Sequence, residues 1–310
     1  MAGLGIFSYL RGLSRTTKIV LVLALVVILA CIIGVSVGVT KHKKSSNRIA
    51  TFDDNYNITW APDHFSIINN GELVGIMLDK VSGAGFGSIN RYLYGNITMQ
   101  IKLVANDSAG TVTAYYLSSL IDTRDEFDFE FLGNTSGQPY ILQTNVYVNG
   151  VGGREQRIFL WFDPTADFHT YSVLWNQHQV IFNVDDVPIR VFRNNTALGV
   201  PYAYDQGVGI YSSIWNGEQW ATRGGLEKIN WTYAPFTASY QGFGIDACVF
   251  TGTPDSCLTG KNWWDQDKYQ TLTSDQLGKV SWVKQNYMIY NYCTDSARYT
   301  PPLPECGSNP

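Results

Sequence analysis

The sequence DEFDFEFLGN, residues 125–134, alternates acidic side chains at positions 126, 128 and 130 with phenylalanines at 127, 129 and 131. Because successive side chains of a β-strand point to opposite faces, this pattern predicts a strand whose phenylalanines enter a hydrophobic core. The other face carries a row of carboxylates. Like charges on one face destabilise a sheet, so the row indicates a functional site. A solvated acidic face on a surface strand is the structural alternative.

The spacing of the acidic residues limits the chemistry they can perform. Crowding raises the pKa of at least one carboxyl, and glycoside hydrolysis requires one ionised and one protonated carboxyl. Residues four apart on a flat strand have Cα atoms roughly 13 Å apart, whereas retaining glycosidases hold their two carboxyls about 5–5.5 Å apart. Glu126 and Glu130 can therefore cooperate only on a curved strand with this face concave, where Asp128 lies between them.

The segments on both sides of this strand predict an all-β fold. Short β-branched or aromatic runs alternate with Gly, Asn, Asp and Pro, and no amphipathic helix of ten residues or more precedes about residue 260. This organisation favours a β-sandwich or jelly roll over residues 49–236, followed by an extension over 237–310 that packs on the main sheet. Residues 281–292 fit either a strand or a short helix. The predicted strands span 92–103, 111–117, 127–131, 141–148, 158–162, 171–175, 180–184 and 189–192.

Composition excludes several classes of protein. Aromatic residues make up 14% of the 310 residues and charged residues 15%, which excludes disorder because the chain can build a large core. The net charge of −4 averages two unlike parts. Seven of the 22 Lys and Arg lie in residues 1–48, which contain no Asp or Glu, so residues 49–310 hold 15 basic and 26 acidic residues, a charge of −11. This acidic body argues against nucleic acid as a partner.

The amino-terminal segment predicts contact with a membrane. Residues 19–39 carry no charge and, as a helix rising about 1.5 Å per residue, would span a bilayer core of roughly 30 Å. We expect a hydrophobic helix retained as an anchor. A cleaved signal peptide is the alternative, because the run ends in Gly34, Ser36 and Gly38. Basic residues flank both ends, so charge does not determine the orientation.

Cysteines and glycosylation sequons indicate an oxidising compartment for the body. Four of the five cysteines lie between residues 248 and 306 and allow three pairings. Sequence proximity favours Cys248–Cys257 with Cys293–Cys306. No C-x-x-C spacing or nearby histidine supports a metal site, and we expect no cofactor. The body is thus predicted to be lumenal or extracellular. Sequons begin at Asn57, Asn96, Asn106, Asn134, Asn194 and Asn230.

Residues 125–134 also resemble the active-site signature of plant xyloglucan endotransglucosylase/hydrolases, a branch of glycoside hydrolase family 16. The resemblance implies a catalytic concave jelly roll that cleaves the β-1,4-glucan backbone of xyloglucan with retention. By position, it implies Glu126 as nucleophile, Glu130 as general acid/base and Asp128 as helper. It covers essentially all of residues 51–306, notably 108–119, 142–176, 184–192, 212–231, 234–240 and 286–295.

The same resemblance, with the polar loop sequence SSIWNGEQWATRGG, indicates which residues bind the glucan. Exposed Trp faces stack on sugar rings. Without the resemblance, Glu155 and Arg157 would be assigned to a solvated strand face. Asn134 matches the glycan-bearing sequon of the family, and Arg124 stands where many relatives have His, which bears on the pH optimum. The predicted substrate-binding residues are Tyr116, Gln143, Asn145, Glu155, Arg157, Trp215, Trp220, Arg223 and Arg298.

Three functions are compatible with these observations. The first is transfer, from a xyloglucan donor to a xyloglucan or oligosaccharide acceptor. The family resemblance favours it, because the stretch SSIWNGEQW that ends at Trp220 shows no insertion relative to the family. The second is endo-hydrolysis at the same site. The third, a non-catalytic wall-binding lectin, predicts loss of a carboxylate, yet all are present. We expect a monomer, secreted to the cell wall or apoplast, or a type II membrane protein if residues 19–39 are uncleaved.

Overall fold

Two antiparallel β-sheets pack face to face in a computed structural model that describes residues 49–310. The predicted apolar helix over residues 19–39 lies outside the described residues. Among the helices of residues 49–310, none has the length and apolarity needed to cross a bilayer.

The first sheet carries the acidic strand near its centre. All of its strand pairs are antiparallel. In spatial order it consists of β1 (Tyr56–Trp60), β4 (Ala84–Ser88), β13 (Gly209–Asn216), β6 (Thr111–Ser118), β7 (Glu126–Leu132), β8 (Ile141–Tyr147), β9 (Gln156–Phe159) and β16 (Met288–Asn291).

The second sheet covers the opposite side of the core. Along one edge, its long strand β5 (Tyr92–Lys102) pairs first with β15 (Ile245–Val249) and then with β14 (Phe236–Gln241). In spatial order the sheet consists of β12 (Val187–Arg193), β11 (Gln179–Val184), β10 (His169–Trp175), β5 (Tyr92–Lys102), β14 (Phe236–Gln241), β3 (Leu73–Leu78) and β2 (Phe65–Ile68), with β15 (Ile245–Val249) on the first half of β5. The α-helices among residues 49–310 are α1 (Phe52–Asn55) and α2 (Ser274–Asn286).

The core between the sheets receives the phenylalanines of β7, as the alternation in residues 125–134 predicted. The phenylalanines of β7 are completely buried. Phe129 contacts the ring of Phe182 on the second sheet at 5.2 Å between centroids, and Phe131 contacts Tyr171 at 4.7 Å. Such edge-to-face contacts add stability beyond the buried area. They fix β7 so that its acidic residues face away from the core.

The predicted all-β sandwich is confirmed. The eight predicted strands correspond to β5–β12, with ends that differ by at most three residues. Residues 281–292 contain both predicted alternatives, the end of α2 and then β16. The boundary expected after residue 236 falls at the start of β14, which pairs with β3 and β5, so residues 237–249 continue the second sheet.

The carboxy-terminal extension is joined to both sheets. Cys248–Cys257 and Cys293–Cys306 form the two predicted disulfides. Helix α2 begins at a capping box in which Thr273 and Gln276 bond each other's backbone, and it packs against β12. Strand β16 extends the first sheet beyond β9. The extension therefore contributes directly to the face that carries the acidic residues.

Candidate active site

Strand β7 presents its three acidic residues on the concave face, and strand register sets their neighbours. Because paired residues of adjacent strands point to the same face, each acidic residue belongs to a row of side chains that runs across the strands of the sheet. Glu126 lies opposite Ser118 and Tyr147, Asp128 opposite Tyr116 and Asn145, and Glu130 opposite Ala114 and Gln143.

A cleft crosses the strands of this face. It consists of two cavities of about 510 Å³ each, which share Glu130, Asn145 and Tyr147. We call the part on β6 and β13 the aromatic half; it is lined by residues that include Tyr116, Ser213 and Trp215. We call the part on β8, β9 and β16 the charged half; it is lined by residues that include Gln143, Glu155, Arg157, Tyr290 and Arg298.

The two glutamates belong to opposite walls of the cleft. On the Glu126 side, the wall is formed by the loop from Leu120 to Arg124 and by Tyr147. On the Glu130 side, Trp215 and Trp220 pack on a small apolar cluster of Val112, Leu132 and Ala221. A polysaccharide chain lying along the cleft would thus pass between the two glutamates.

Arg124 holds the carboxylate of Glu126. Its Nε donates to Glu126 Oε2 at 2.9 Å, and its guanidinium lies 4.4 Å from the ring centroid of Tyr147. The ion pair is partly buried, with Arg124 33% and Glu126 13% exposed. A charge-assisted hydrogen bond of this kind fixes the orientation of the carboxylate and occupies only one of its two oxygens.

Asp128 is the most enclosed of the three acidic residues, only 8% exposed. Burial, together with the neighbouring charges of Glu126 and Glu130, holds its pKa well above the usual range of an aspartate. The neutral form of Asp128 is therefore favoured. A neutral carboxyl between two glutamates adds no third negative charge and has a proton to donate.

Glu130 has the environment of a general acid. Burial raises its pKa, while the side chains of Gln143 and Arg157 partly offset this increase. Gln143 Nε2 donates to Glu130 Oε2 at 2.5 Å, and Arg157 Nε donates to Gln143 Oε1 at 2.7 Å. This chain of hydrogen bonds runs across β7, β8 and β9 and orients the glutamate.

The charged half is completed by the extension. Arg298 Nη1 donates to Glu155 Oε2 at 2.6 Å. Behind the cleft, Arg154 Nε donates to Glu305 Oε1 at 2.7 Å in a pair whose side chains are 5% and 2% exposed. The backbone N–H of Arg154 also donates to Asn145 Oδ1 at 3.0 Å. The extension thereby supports a residue at the centre of the cleft.

The structure gathers the predicted site residues around one cleft, except for Arg223. The chain is anchored at Thr222, whose hydroxyl donates to the carbonyl of Gly133 at 2.6 Å and accepts from the N–H of Gly110 at 2.8 Å. It then turns through Arg223, whose φ is 50°. Arg223 forms an exposed ion pair with Glu227 at 2.7 Å and lies near Asn134, outside both halves of the cleft.

Some cleft residues were not predicted from the sequence. Tyr147 continues the alternation of Gln143 and Asn145 on β8, so period two along that strand was a usable signal. Tyr290 pairs with Arg157 across β9 and β16, and no local sequence pattern predicts that pairing. Among residues 49–310, no group of three His, Cys, Asp or Glu is placed to hold a metal ion.

Two family models together match most of the residues that the structure describes. A family model for glycosyl hydrolases family 16 matches residues 52–233, and one for the xyloglucan endo-transglycosylase (XET) C-terminus matches residues 259–306. The chain is 56% identical over 265 residues to the probable xyloglucan endotransglucosylase/hydrolase protein 5 of Arabidopsis thaliana, covering 85% of this chain and 90% of that protein.

Two further comparisons extend this result. The xyloglucan endotransglucosylase protein 2 of Diospyros kaki is 54% identical over 279 residues, covering 90% of this chain and 94% of that protein. Among solved structures, the Bacillus licheniformis β-glucanase superposes with a TM-score of 0.50 at 22% identity, covering 63% of this chain and 92% of that chain. This last similarity shows the jelly-roll fold.

Proposed function

The chain belongs to the xyloglucan endotransglucosylase/hydrolase family, within glycosyl hydrolases family 16, and we propose that it is a retaining endo-transglycosylase of xyloglucan. It cleaves the β-1,4-glucan backbone and joins the new end to another xyloglucan chain. The observation that carries the proposal is the position of Glu126 and Glu130 on opposite walls of one cleft, with Asp128 between them.

In the first step, Glu126 is the nucleophile and Glu130 the acid. The free oxygen of the Glu126 carboxylate attacks the anomeric carbon as the glycosidic C–O bond breaks. Glu130 gives its proton to the departing oxygen, and its raised pKa favours the protonated form that this step needs. The products are a glycosyl ester on Glu126 and a released chain end.

In the second step, Glu130 is the base. Its carboxylate takes the proton of an acceptor hydroxyl, whose oxygen attacks the anomeric carbon and displaces Glu126. The two inversions leave the configuration of the anomeric carbon unchanged. Burial raises the pKa of Asp128 and so favours its protonated form, which can donate a hydrogen bond to the Glu126 carboxylate when that group departs.

The lining of the two halves supports binding of the donor sugar in one half and of the acceptor in the other. Glu126 and Asp128 line only the aromatic half, whereas Glu130 lines both halves. The sugar that becomes attached to Glu126 therefore belongs in the aromatic half. The leaving chain and the acceptor, which exchange protons with Glu130, belong in the charged half beside Gln143, Arg157 and Arg298.

Endo-hydrolysis at the same site is the alternative, and it differs only in the acceptor of the glycosyl group. Transfer is favoured because the charged half offers hydrogen-bonding side chains that hold a saccharide acceptor in place of water. A lectin function conflicts with the complete set of Glu126, Asp128 and Glu130.

A single assay distinguishes transfer from hydrolysis. The full chain, expressed through a secretory pathway, is incubated with xyloglucan and a labelled xyloglucan oligosaccharide. We expect the label to enter polymer without a matching rise in reducing ends. A rise in reducing ends with no incorporation would overturn transfer in favour of hydrolysis, and neither signal would overturn the proposed function.

Secretion to the cell wall follows from the family and from the surface chemistry. The predicted sequon residues Asn57, Asn106, Asn194 and Asn230 are exposed, and Asn96 and Asn134 are partly exposed. Disulfides are typical of oxidising compartments. We propose that the body is an extracellular monomer, with residues 19–39 as a membrane anchor or a cleaved signal. Mass spectrometry of the amino terminus and of the sequon peptides tests both points.

A further inference from the structure

The row of residues that contains Glu130 continues to the far edge of the first sheet. Glu130 pairs with Ala114 on β6, which pairs with Ser213 on β13. Ser213 pairs with Gly85 on β4, and Gly85 pairs with Trp60 on the edge strand β1. Four strand spacings of about 4.8 Å put Trp60 about 19 Å from Glu130 along the direction of the cleft.

Glycines on and beside β4 make room for the Trp60 ring. A Cβ at Gly85 would lie 2.3 Å from Trp60 Nε1, and a Cβ at Gly83 would lie 3.1 Å from Trp60 Cη2. Glycine weakens a strand unless a close approach requires it. The indole therefore lies directly against the glycine backbone, which leaves its other face toward solvent.

The exposure of this ring is unusual for the protein. Trp60 is 40% exposed, and within residues 49–310 only Trp282 is an equally exposed tryptophan. Between Trp60 and the acidic strand, the aromatic surface continues. Tyr211 stacks on Tyr116 with centroids 5.4 Å apart, and Tyr116 pairs with Asp128.

We propose that Trp60 is a distal sugar-binding platform, which stacks a backbone ring of the donor chain several sugars away from the bond that is cleaved. The inference rests on the proposed function, because it assigns the donor to the aromatic half. A flat indole with one face against glycine offers the apolar surface that a neutral pyranose ring requires. The ring is preorganised, so stacking orders few additional side chains.

The predicted sequon at Asn57 has a bearing on the experiment. Asn57 pairs with Gly87, two positions along β4 from Gly85, the partner of Trp60, at the same sheet edge. A glycan on Asn57 would stand beside the platform and compete for it. All variants are therefore made in an Asn57→Gln background of the full chain, so that no glycan on residue 57 covers the indole.

The test compares two donors in the transfer assay. With polymeric xyloglucan, Trp60→Ala is expected to raise the donor KM about tenfold, the effect of losing one aromatic stacking contact, with kcat within about twofold. With a short oligosaccharide donor that ends before the sheet edge, KM is expected to stay unchanged. An unchanged KM for the polymer would overturn the platform.

Two further variants keep the result interpretable. Trp60→Leu covers the glycines without providing a flat ring, so it should reproduce the KM increase even if Trp60→Ala fails to fold. Trp282→Ala removes an equally exposed indole from α2 and should leave the donor KM unchanged. An equal rise with Trp282→Ala would contradict a specific role for Trp60.

Affinity electrophoresis in xyloglucan gels separates this proposal from the proposed function. It measures binding without turnover. If the unsubstituted chain shows neither transfer nor hydrolysis but is retarded by xyloglucan, and Trp60→Ala weakens that retardation, the platform is supported and the catalytic assignment is rejected. If transfer is normal and Trp60→Ala leaves the retardation unchanged, the platform is rejected and the proposed function is not.

Discussion

The aromatic and charged halves of the cleft are constructed differently. The aromatic half lies on strands of the jelly roll, and its lining includes the rings of Tyr116 and Trp215. Tyr116 is held in place by stacking on Tyr211. The charged half depends on the extension, since Arg298 bonds Glu155 across 143 residues of sequence. Stacking tolerates sliding of a chain, whereas charge-assisted hydrogen bonds fix its position.

This difference suits the two tasks of the proposed transferase activity. The proposed donor is a long polymer that can be cut at many places, and a surface that binds by stacking suits it. In the proposed mechanism the acceptor presents one hydroxyl to Glu130, and directional hydrogen bonds suit that step. Substitutions in one half should therefore change the KM of one substrate only, and the following predictions test this separation.

The largest effect is expected from the strand that serves both halves. Glu126→Ala removes the proposed nucleophile and should reduce transfer and hydrolysis together by at least about 10³-fold. The matched control is Glu227→Ala, because Glu227 pairs with Arg223 outside the cleft. Rates are measured with the labelled acceptor and by reducing ends. Substantial activity in Glu126→Ala would refute the assignment of the nucleophile.

The next effect concerns the attachment of the extension. Glu305→Ala leaves the buried Arg154 guanidinium without its partner, which should lower the free energy of unfolding by about 3–5 kcal/mol. Glu227→Ala breaks an exposed ion pair and should cost less than about 1 kcal/mol. Denaturant unfolding measures both. Equal losses would show that the buried pair does not hold the extension in place.

Arg298 tests the charged half directly. Arg298→Ala removes the partner of Glu155, and we expect the acceptor KM to rise about tenfold while the donor KM is unchanged. Trp60→Ala should show the reverse. Arg223→Ala is the control, an exposed arginine that lies outside both halves. If both variants raise the same KM, the proposed division between donor and acceptor halves is wrong.

The smallest effect is a shift in pH dependence. The hydrogen bond from Gln143 lowers the pKa of Glu130, so Gln143→Met should raise that pKa further above its ordinary value. The proposed mechanism needs protonated Glu130, so the alkaline limb of kcat/KM should move to higher pH. Gln156→Met, on the neighbouring strand, is the control because its side chain bonds Asn291. A shift to lower pH would contradict the role of Gln143.

Several parts of the site could be predicted from local sequence. The alternation in residues 125–134 places three acidic residues on one face and three phenylalanines in the core, because the period of a strand is two. The disulfides also followed from short sequence separations of 9 and 13 residues. The remaining substrate-binding positions were inferred from family resemblance.

Other features depended on long-range pairing. Arg223 is close in sequence to cleft residues, yet it points away from the cleft because the hydroxyl of Thr222 accepts from the Gly110 N–H and donates to the Gly133 carbonyl. Trp60 and Tyr290 reach the concave face only because β1 and β16 join opposite edges of the first sheet. Sequence distance carries no information about such neighbours, because a strand pairs wherever register and core packing allow.

The sequence by itself determined that the protein is an all-β sandwich with an acidic strand and that the acidic residues share one face. Those features depend on side-chain period and turn composition, which are local. The tertiary structure decided which residues stand around that strand, that Glu130 lines both halves of the cleft, and that Arg298 of the extension pairs with Glu155. These features depend on strand register and on burial, which no short segment specifies alone.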